Sequence, residues 1–143
     1  MRVAIIGQGY VGLTIAVGAA GAGHEVVGFD VNKELINQLN SGTSHIEGIS
    51  DAELKNFLSN NTYTASTEAS SVNGCDVVVI AVPTPLNESR EPDLSFLHAA
   101  VELIQNNVKT PTLVINESTS YPGTLRKEIA ARTAGVNHLY ASS

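Results

Sequence analysis

Gly7-Gln8-Gly9-Tyr10-Val11-Gly12 is the stretch that decides the fold, because it matches the pattern G-x-G-x-x-G. It lies between a β-branched apolar run, Arg2 to Ile6, and a helical pattern from Tyr10 to about Ala22. At such a strand-to-helix turn the first glycine permits a tight bend, the second lets a pyrophosphate approach the backbone, and the third lets the helix pack near the strand. Free amides at the start of the helix can then bind phosphate. We therefore predict a dinucleotide site here.

An acidic residue follows at the end of the second predicted strand, Glu25 to Asp30. A carboxylate there, roughly 20 residues after the glycines, can accept hydrogen bonds from the adenosine ribose hydroxyls. Asp30 would repel a 2′-phosphate and no Arg follows it, which favours NAD over NADP. Lys33 either contacts the ribose or a phosphate, or is solvated in the first turn of a helix. The alternative for the whole motif is that the glycines serve only a tight turn and Asp30 caps the next helix.

Short β-branched runs alternate with helical spacing along the rest of the chain, as is typical of a parallel sheet built from βαβ units. Val77 to Val82 is continuously apolar, as expected for a central strand covered on both faces. Pro83-Thr84-Pro85 must end it at its carboxyl end, where open α/β sheets bind ligands. Further strands are predicted at Tyr63–Ser66, Thr112–Asn116 and Asn137–Tyr140, with helices through Leu35–Leu39, after Ser50, over Leu94–Asn106 and after Gly123. We predict an α/β fold of the Rossmann type, doubly wound, with a mostly parallel sheet and helices on both faces.

The composition restricts the function further. With 143 residues the chain has room for one domain, and its net charge of −6, with scattered basic residues, argues against a nucleic-acid surface. A single cysteine, Cys75, excludes an intrachain disulfide and a zinc-type cysteine cluster, and the four His are too dispersed to indicate a metal site. No apolar run approaches the roughly 20 residues that span a bilayer, and no signal peptide is apparent. We expect a cytoplasmic protein without metal, membrane or nucleic-acid partners.

Several consecutive segments resemble the motifs of the UDP-glucose/GDP-mannose dehydrogenases. They are Gly7–Leu13, Gly28–Asn32, Leu39–Gly42, Val82–Pro85 and Glu117–Thr124. Enzymes of this family oxidise the C6 primary alcohol of a nucleotide sugar to a carboxylate and use two NAD⁺ per turnover. Segments Ser44–Asp51, Arg90–Ser95 and Tyr121–Gly123 are most similar to the UDP-N-acetylhexosamine 6-dehydrogenases, which act on UDP-GlcNAc or UDP-ManNAc.

The resemblance implies positions for the cofactor. It places Tyr10 and Val11 beside the pyrophosphate, Val82 and Pro83 against the adenosine or its ribose, and Thr84 near the nicotinamide ribose. Together with the glycines Gly7, Gly9 and Gly12, with Asp30 and with Lys33, these residues form the expected NAD site.

Ser118 and Thr119 belong to the last of the resembling segments. The resemblance implies that Ser118 contributes to the cofactor site and that Thr119 holds the water or substrate oxygen near the reacting carbon. A hydroxyl there can donate to an oxygen on which negative charge builds. From the residues alone, the alternative is ordinary strand-end turn chemistry before Pro122.

The resemblance also implies that residues 1–143 are the NAD-binding Rossmann domain of a longer enzyme. The family's cysteine nucleophile and its lysine and asparagine partners lie further along than Ser143, so we expect this chain alone to be inactive. Cys75 is expected to be a packed residue. Full-length members usually form homodimers through a helix outside this chain. Two alternatives stay open: a dehydrogenase of the 6-phosphogluconate or hydroxyacyl-CoA type, and a non-catalytic NAD-sensing module.

Overall fold

Strands and helices alternate along the chain in the computed structural model, which describes all 143 residues. The strands are β1 (Arg2–Ile6), β2 (Glu25–Phe29), β3 (Tyr63–Ser66), β4 (Val77–Ile80), β5 (Leu113–Asn116) and β6 (Leu139–Ser142). The α-helices are α1 (Tyr10–Gly21), α2 (Lys33–Asn40), α3 (Asp51–Ser59) and α4 (Ser95–Asn107). A 3₁₀ turn covers Ala69–Val72, and a π-helical segment covers Leu125–Ala130.

The six strands form one sheet in the order β3-β2-β1-β4-β5-β6, and every pair of neighbours is parallel. The prediction of a mostly parallel Rossmann sheet is confirmed, and the sheet is parallel throughout. The chain moves outward in one direction from β1 to β3 and in the other direction from β4 to β6. The order therefore reverses between β1 and β4, which is the point where sheets of this type bind ligands.

Apolar side chains cover both faces of the sheet. Because successive residues of a strand point to opposite faces, Val79 packs with Leu13 of α1 while Ile80 packs with Leu97 of α4. Helices α1, α2 and α3 lie on the first face, and α4 with the π-helical segment on the second. The strand predicted to be central and covered on both faces is thus β4. None of the helices combines the length and the apolar character needed to cross a lipid bilayer.

The ends of several elements differ from the predicted ones by one or two residues. β4 ends at Ile80 rather than Val82, because the amide of Val82 donates to the Oγ of Ser118 (3.0 Å) instead of to a neighbouring strand. β6 begins at Leu139 rather than Asn137, because pairing with β5 begins where the amide of Leu139 donates to the Thr112 carbonyl. Helix α3 begins directly after Ser50, as predicted, and the Oγ of Ser50 caps it by accepting from the amide of Glu53 at 3.1 Å.

Candidate functional site

An open cavity of about 940 Å³ lies at the carboxyl end of the sheet, above the neighbouring strands β1 and β4. It is lined by the residues that follow β1, β2, β4 and β5, and by one side of α4 with Phe96, Ala99 and Leu103. The predicted site residues that line it are Gly7, Gly9, Tyr10, Val11, Asp30, Val82, Pro83, Thr84, Ser118 and Thr119. Gly12 lies just behind this lining, and Lys33 is exposed on α2 outside it, so its contact with a ribose stays a prediction.

The turn after β1 presents amides without partners. Gly7 has a φ of +95°, and a Cβ there would lie 2.5 Å from the carbonyl oxygen of Ala81, so only glycine fits. The amides of Tyr10 and Val11, in the first turn of α1, have no acceptor within the chain. Unpaired amides at the positive end of a helix bind anions such as phosphate.

Gly9 and Gly12, the second and third glycines of the motif, differ in whether the fold requires the absence of a side chain. A Cβ on Gly12 would lie 1.8 Å from the carbonyl oxygen of Gly7, so the fold itself requires this glycine. A Cβ on Gly9 would meet nothing within 4 Å. Nothing in the chain therefore requires Gly9, and its missing side chain leaves room in the cavity for another group.

Asp30 is held by two backbone amides at the edge of the cavity. Its Oδ2 accepts from the amide of Gln8 at 2.8 Å, and its Oδ1 accepts from the amide of Asn32 at 2.9 Å. The cap of α2 is Asn32, whose Oδ1 accepts from the amide of Leu35, so Asp30 is not the helix cap. Since a carboxylate has about four acceptor positions, Asp30 retains capacity for the hydroxyl groups of a ribose.

Ser118 joins the ends of β4 and β5. Its buried Oγ accepts from the amide of Val82 at 3.0 Å and donates to the carbonyl of Ile80 at 3.4 Å, so the strand-end role that the sequence left open is observed. The hydroxyl of Thr84 donates to the carbonyl of Thr119 at 2.8 Å. The side chain of Thr119 is exposed at the cavity, and its hydroxyl has no partner within the chain.

Two residues important to the turn were missed by sequence reasoning. Gln8 occupies a variable position of the motif but is fully buried, and its Oε1 accepts from the hydroxyl of Tyr63 at 2.8 Å. Burial, with a smaller effect of the Asp30 charge, raises the pKa of Tyr63 well above its ordinary value, so the phenol is a neutral donor. The one sequence signal that could have indicated the buried Gln8 is Gly28 on β2, because a Cβ at that position would lie 2.3 Å from the Gln8 Oε1.

Cys75 lies two residues before β4 and is buried, as predicted, on the face of the sheet that α4 covers. Burial raises the pKa of its thiol. A thiol that is both inaccessible and protonated does not act as a nucleophile. Nowhere in the chain do three side chains of the His, Cys, Asp or Glu type come together as a metal site.

A parallel sheet of this order, with a glycine turn, free helix amides and an acidic residue at the end of β2, defines a dinucleotide-binding domain of the Rossmann class. The family model described as "UDP-glucose/GDP-mannose dehydrogenase family, NAD binding domain" matches residues 1–139. The chain belongs to this family, and its cofactor is NAD.

Named relatives agree with this assignment. The chain is 40% identical over 128 residues to the UDP-N-acetyl-D-mannosamine dehydrogenase of Pyrococcus horikoshii, which covers 89% of this chain and 30% of the relative. It is 37% identical over 141 residues to the UDP-N-acetyl-D-glucosamine 6-dehydrogenase of Salmonella typhi, covering 95% of this chain and 32% of the relative. The solved structure of UDP-D-ManNAc dehydrogenase from P. horikoshii superposes with a TM-score of 0.91 at 37% identity, over 99% of this chain and 35% of that one. The chain thus spans about a third of the length of the relatives it matches.

Proposed function

We propose that this chain is the NAD-binding domain of a nucleotide-sugar 6-dehydrogenase, which oxidises the C6 alcohol of a UDP-N-acetylhexosamine to the uronate with two NAD⁺. The observation that carries the proposal is that the unpaired amides of the glycine turn and the carboxylate of Asp30 open onto the same cavity. The names of the similar proteins support a UDP-N-acetylhexosamine as the sugar.

In this proposal different residues around the cavity bind different parts of the cofactor. The amides of Tyr10 and Val11 bind the pyrophosphate, and Asp30 accepts from the hydroxyls of the adenosine ribose. Val82 and Pro83 contact the adenosine or its ribose. The space over Gly9, which a side chain would fill, fits a group that approaches the backbone closely.

The reacting end of the cofactor lies, in the proposal, near the ends of β4 and β5. Bound NAD⁺ supplies the hydride acceptor, and the protein supplies position. Thr84 lies by the nicotinamide ribose, and Ser118 holds the backbone of Val82 against the cofactor. The free hydroxyl of Thr119 donates to the aldehyde oxygen on the reacting carbon, where negative charge builds during nucleophilic attack.

We further propose that residues 1–143 are one part of a longer, cytoplasmic enzyme, without nucleic-acid or membrane partners. The catalytic cysteine, the sugar site and the homodimer contact would belong to the rest of that enzyme. The coverage of 30% and 32% of the relatives supports this division. The family match does not favour a dehydrogenase of the 6-phosphogluconate or hydroxyacyl-CoA type.

The first test is a calorimetric titration of this chain with NAD⁺, with NADP⁺ as the control. We expect saturable binding with a clear preference for NAD⁺, because Asp30 repels a 2′-phosphate. Absence of binding to a folded chain would contradict the site as described.

The second test is turnover by the full-length gene product with UDP-GlcNAc and with UDP-ManNAc. Release of two NADH per sugar with either substrate is expected. A full-length product that binds NAD⁺ but oxidises neither sugar would favour an NAD-sensing role instead.

A further inference from the structure

The peptide group between Gly7 and Gln8 is held at both ends. Its amide donates to the Oδ2 of Asp30 at 2.8 Å, and its carbonyl oxygen accepts from the Nε2 of Gln8 at 3.1 Å. Because a peptide group is planar, fixing both its donor and its acceptor fixes the orientation of this peptide group within the turn. The next residues along the chain carry the unpaired amides of Tyr10 and Val11.

The side chain of Gln8 is itself held from the far edge of the sheet. Its Nε2 also donates to the carbonyl of Ile5 at 3.1 Å, and its Oε1 accepts from the hydroxyl of Tyr63 at 2.8 Å. Tyr63 is the first residue of β3, which is an edge strand, and both side chains are fully buried. Gly28 of β2 has no side chain, and the side-chain amide of Gln8 occupies the space that this leaves.

We propose that Gln8 and Tyr63 are positioning residues for the dinucleotide, an inference that rests on the proposed function of the site. Neither residue lines the cavity, so both act through the Gly7–Gln8 peptide group, to which Asp30 and the phosphate-binding amides are joined. Without the phenol, the Oε1 of Gln8 is buried without a donor, which is costly. The side-chain amide of Gln8 then rotates toward another partner, and its Nε2 no longer donates to the carbonyl of Gly7.

The test compares Tyr63→Phe with Tyr140→Phe. The hydroxyl of Tyr140 is within hydrogen-bond distance of the Oγ1 of Thr133 at 2.7 Å, on β6 and outside the cavity lining, so each substitution removes one phenol contact. Affinities for NAD⁺ and ADP are measured by calorimetry on the 143-residue chain, alongside melting temperatures. ADP carries the adenosine ribose and the pyrophosphate without the nicotinamide.

We expect Tyr63→Phe to weaken both ligands roughly three- to tenfold, the equivalent of about one hydrogen bond. Tyr140→Phe should leave both affinities within about twofold of wild type and lower the melting temperature less than Tyr63→Phe, because its hydroxyl is only partly buried. A purely structural role for Tyr63 would lower the melting temperature without moving either affinity, and this result would overturn the inference.

A double substitution tests whether the two side chains act together. Methionine at position 8 keeps the length of Gln but offers Tyr63 only the weak acceptor of its thioether sulfur. Gln8→Met with Tyr63→Phe is therefore expected to bind ADP no more weakly than Gln8→Met alone, whereas independent losses that multiply would contradict the inference. If the wild-type chain binds NAD⁺ and Tyr63→Phe binds equally well, only this inference fails. If the folded wild-type chain does not bind NAD⁺, the proposed function fails first.

Discussion

At the scale of single residues, two positions of the proposed NAD site offer different things to a ligand, one a charge and the other open space. Asp30 presents a carboxylate that two amides orient toward the cavity, and Gly9 presents no side chain at all. The first contributes attraction for hydroxyl groups, and the second allows a ligand to reach the backbone. Substitutions at these two positions should therefore affect binding in different ways.

Replacement of Asp30 by Asn should weaken NAD⁺ binding by about 1–3 kcal/mol, because hydrogen bonds to a charged acceptor are lost. The preference for NAD⁺ over NADP⁺ should shrink at the same time, since the repulsion of a 2′-phosphate is removed. Calorimetry with both cofactors measures the two effects. Asp76→Asn is the matched control. Asp76 lies just before β4, at the opposite end of the sheet from the cavity, and its carboxylate also accepts from a backbone amide, that of Arg2. Unchanged NAD⁺ affinity in Asp30→Asn would contradict the ribose contact.

Gly9→Val should fold normally and fail to bind NAD⁺. An added Cβ would meet no atom of the chain within 4 Å, and the backbone at Gly9, with a φ of −70°, accepts any residue. The clash that we expect is with the pyrophosphate that the proposed function places on this turn. Gly18→Val, an open position within α1, provides a control that should bind normally. A well-folded Gly9→Val chain with normal NAD⁺ affinity would remove the argument from the glycine motif.

At the scale of elements, the site depends on how closely neighbouring elements approach each other. Helix α1 packs onto the turn through Gly12, and the ends of β4 and β5 are joined through Ser118. Both contacts lie next to the cavity, so they set its shape as well as the stability of the fold.

Gly12→Ala should destabilise the fold rather than act on the ligand directly. Its Cβ would lie 1.8 Å from the backbone carbonyl of Gly7, so α1 must move away from the sheet. Forcing extra volume into a packed site typically costs about 1–3 kcal/mol. Urea unfolding of Gly12→Ala beside Gly9→Ala measures this cost, and equal stability of the two variants would contradict the close packing of α1.

Ser118→Ala should lower the free energy of unfolding by about 1–3 kcal/mol, because the amide of Val82 loses its acceptor. Ser120→Ala is a suitable control, since the hydroxyl of Ser120 is exposed and accepts a single long bond of 3.3 Å from Asn116. Chemical denaturation of both variants checks the difference. If Ser118→Ala were as stable as Ser120→Ala, the hydroxyl would not hold the two strand ends together.

At the scale of the whole molecule, the reversal of strand order places the candidate site in an open cavity at the carboxyl end of the sheet. Helices cover both faces of the sheet, and the connections after β1 and β4 leave toward opposite faces. The two strands stay paired up to Ile6 and Ile80, and the connections that follow them diverge. Site residues distant in sequence meet there because the topology brings together four strand ends and one side of α4.

Global stability should decrease as the solution becomes acidic, in part through His138. Burial lowers the pKa of His138 below its ordinary value of 6.5, so the unfolded chain binds a proton before the folded one does. Unfolding is therefore favoured as the pH falls through about 6.5. Urea unfolding at pH 7.5 and at pH 5.5 measures the loss, and His138→Gln should show a smaller loss. Equal losses in wild type and variant would assign the effect to other groups.

The sequence alone determined the βαβ rhythm, the parallel sheet and ten of the 22 residues that line the cavity. These features depend on local rules: a glycine where φ is positive, a continuous apolar run for a covered strand, and proline where a strand must end. Element ends agreed within one or two residues because caps such as Ser50 are local too. Sequence spacing likewise indicated Asp30 as the acid after β2.

Only the tertiary structure decided what depends on strand register and packing. The contact of Gln8 with Tyr63 joins residues 55 positions apart across β2, and no local pattern predicts such a partner. Strand register and packing also decide the two hydrogen bonds of the Ser118 hydroxyl and the part of the cavity that α4 lines. Local sequence restricts the backbone angles of each segment, whereas long-range hydrogen bonds arise only after the sheet has set which strands lie side by side.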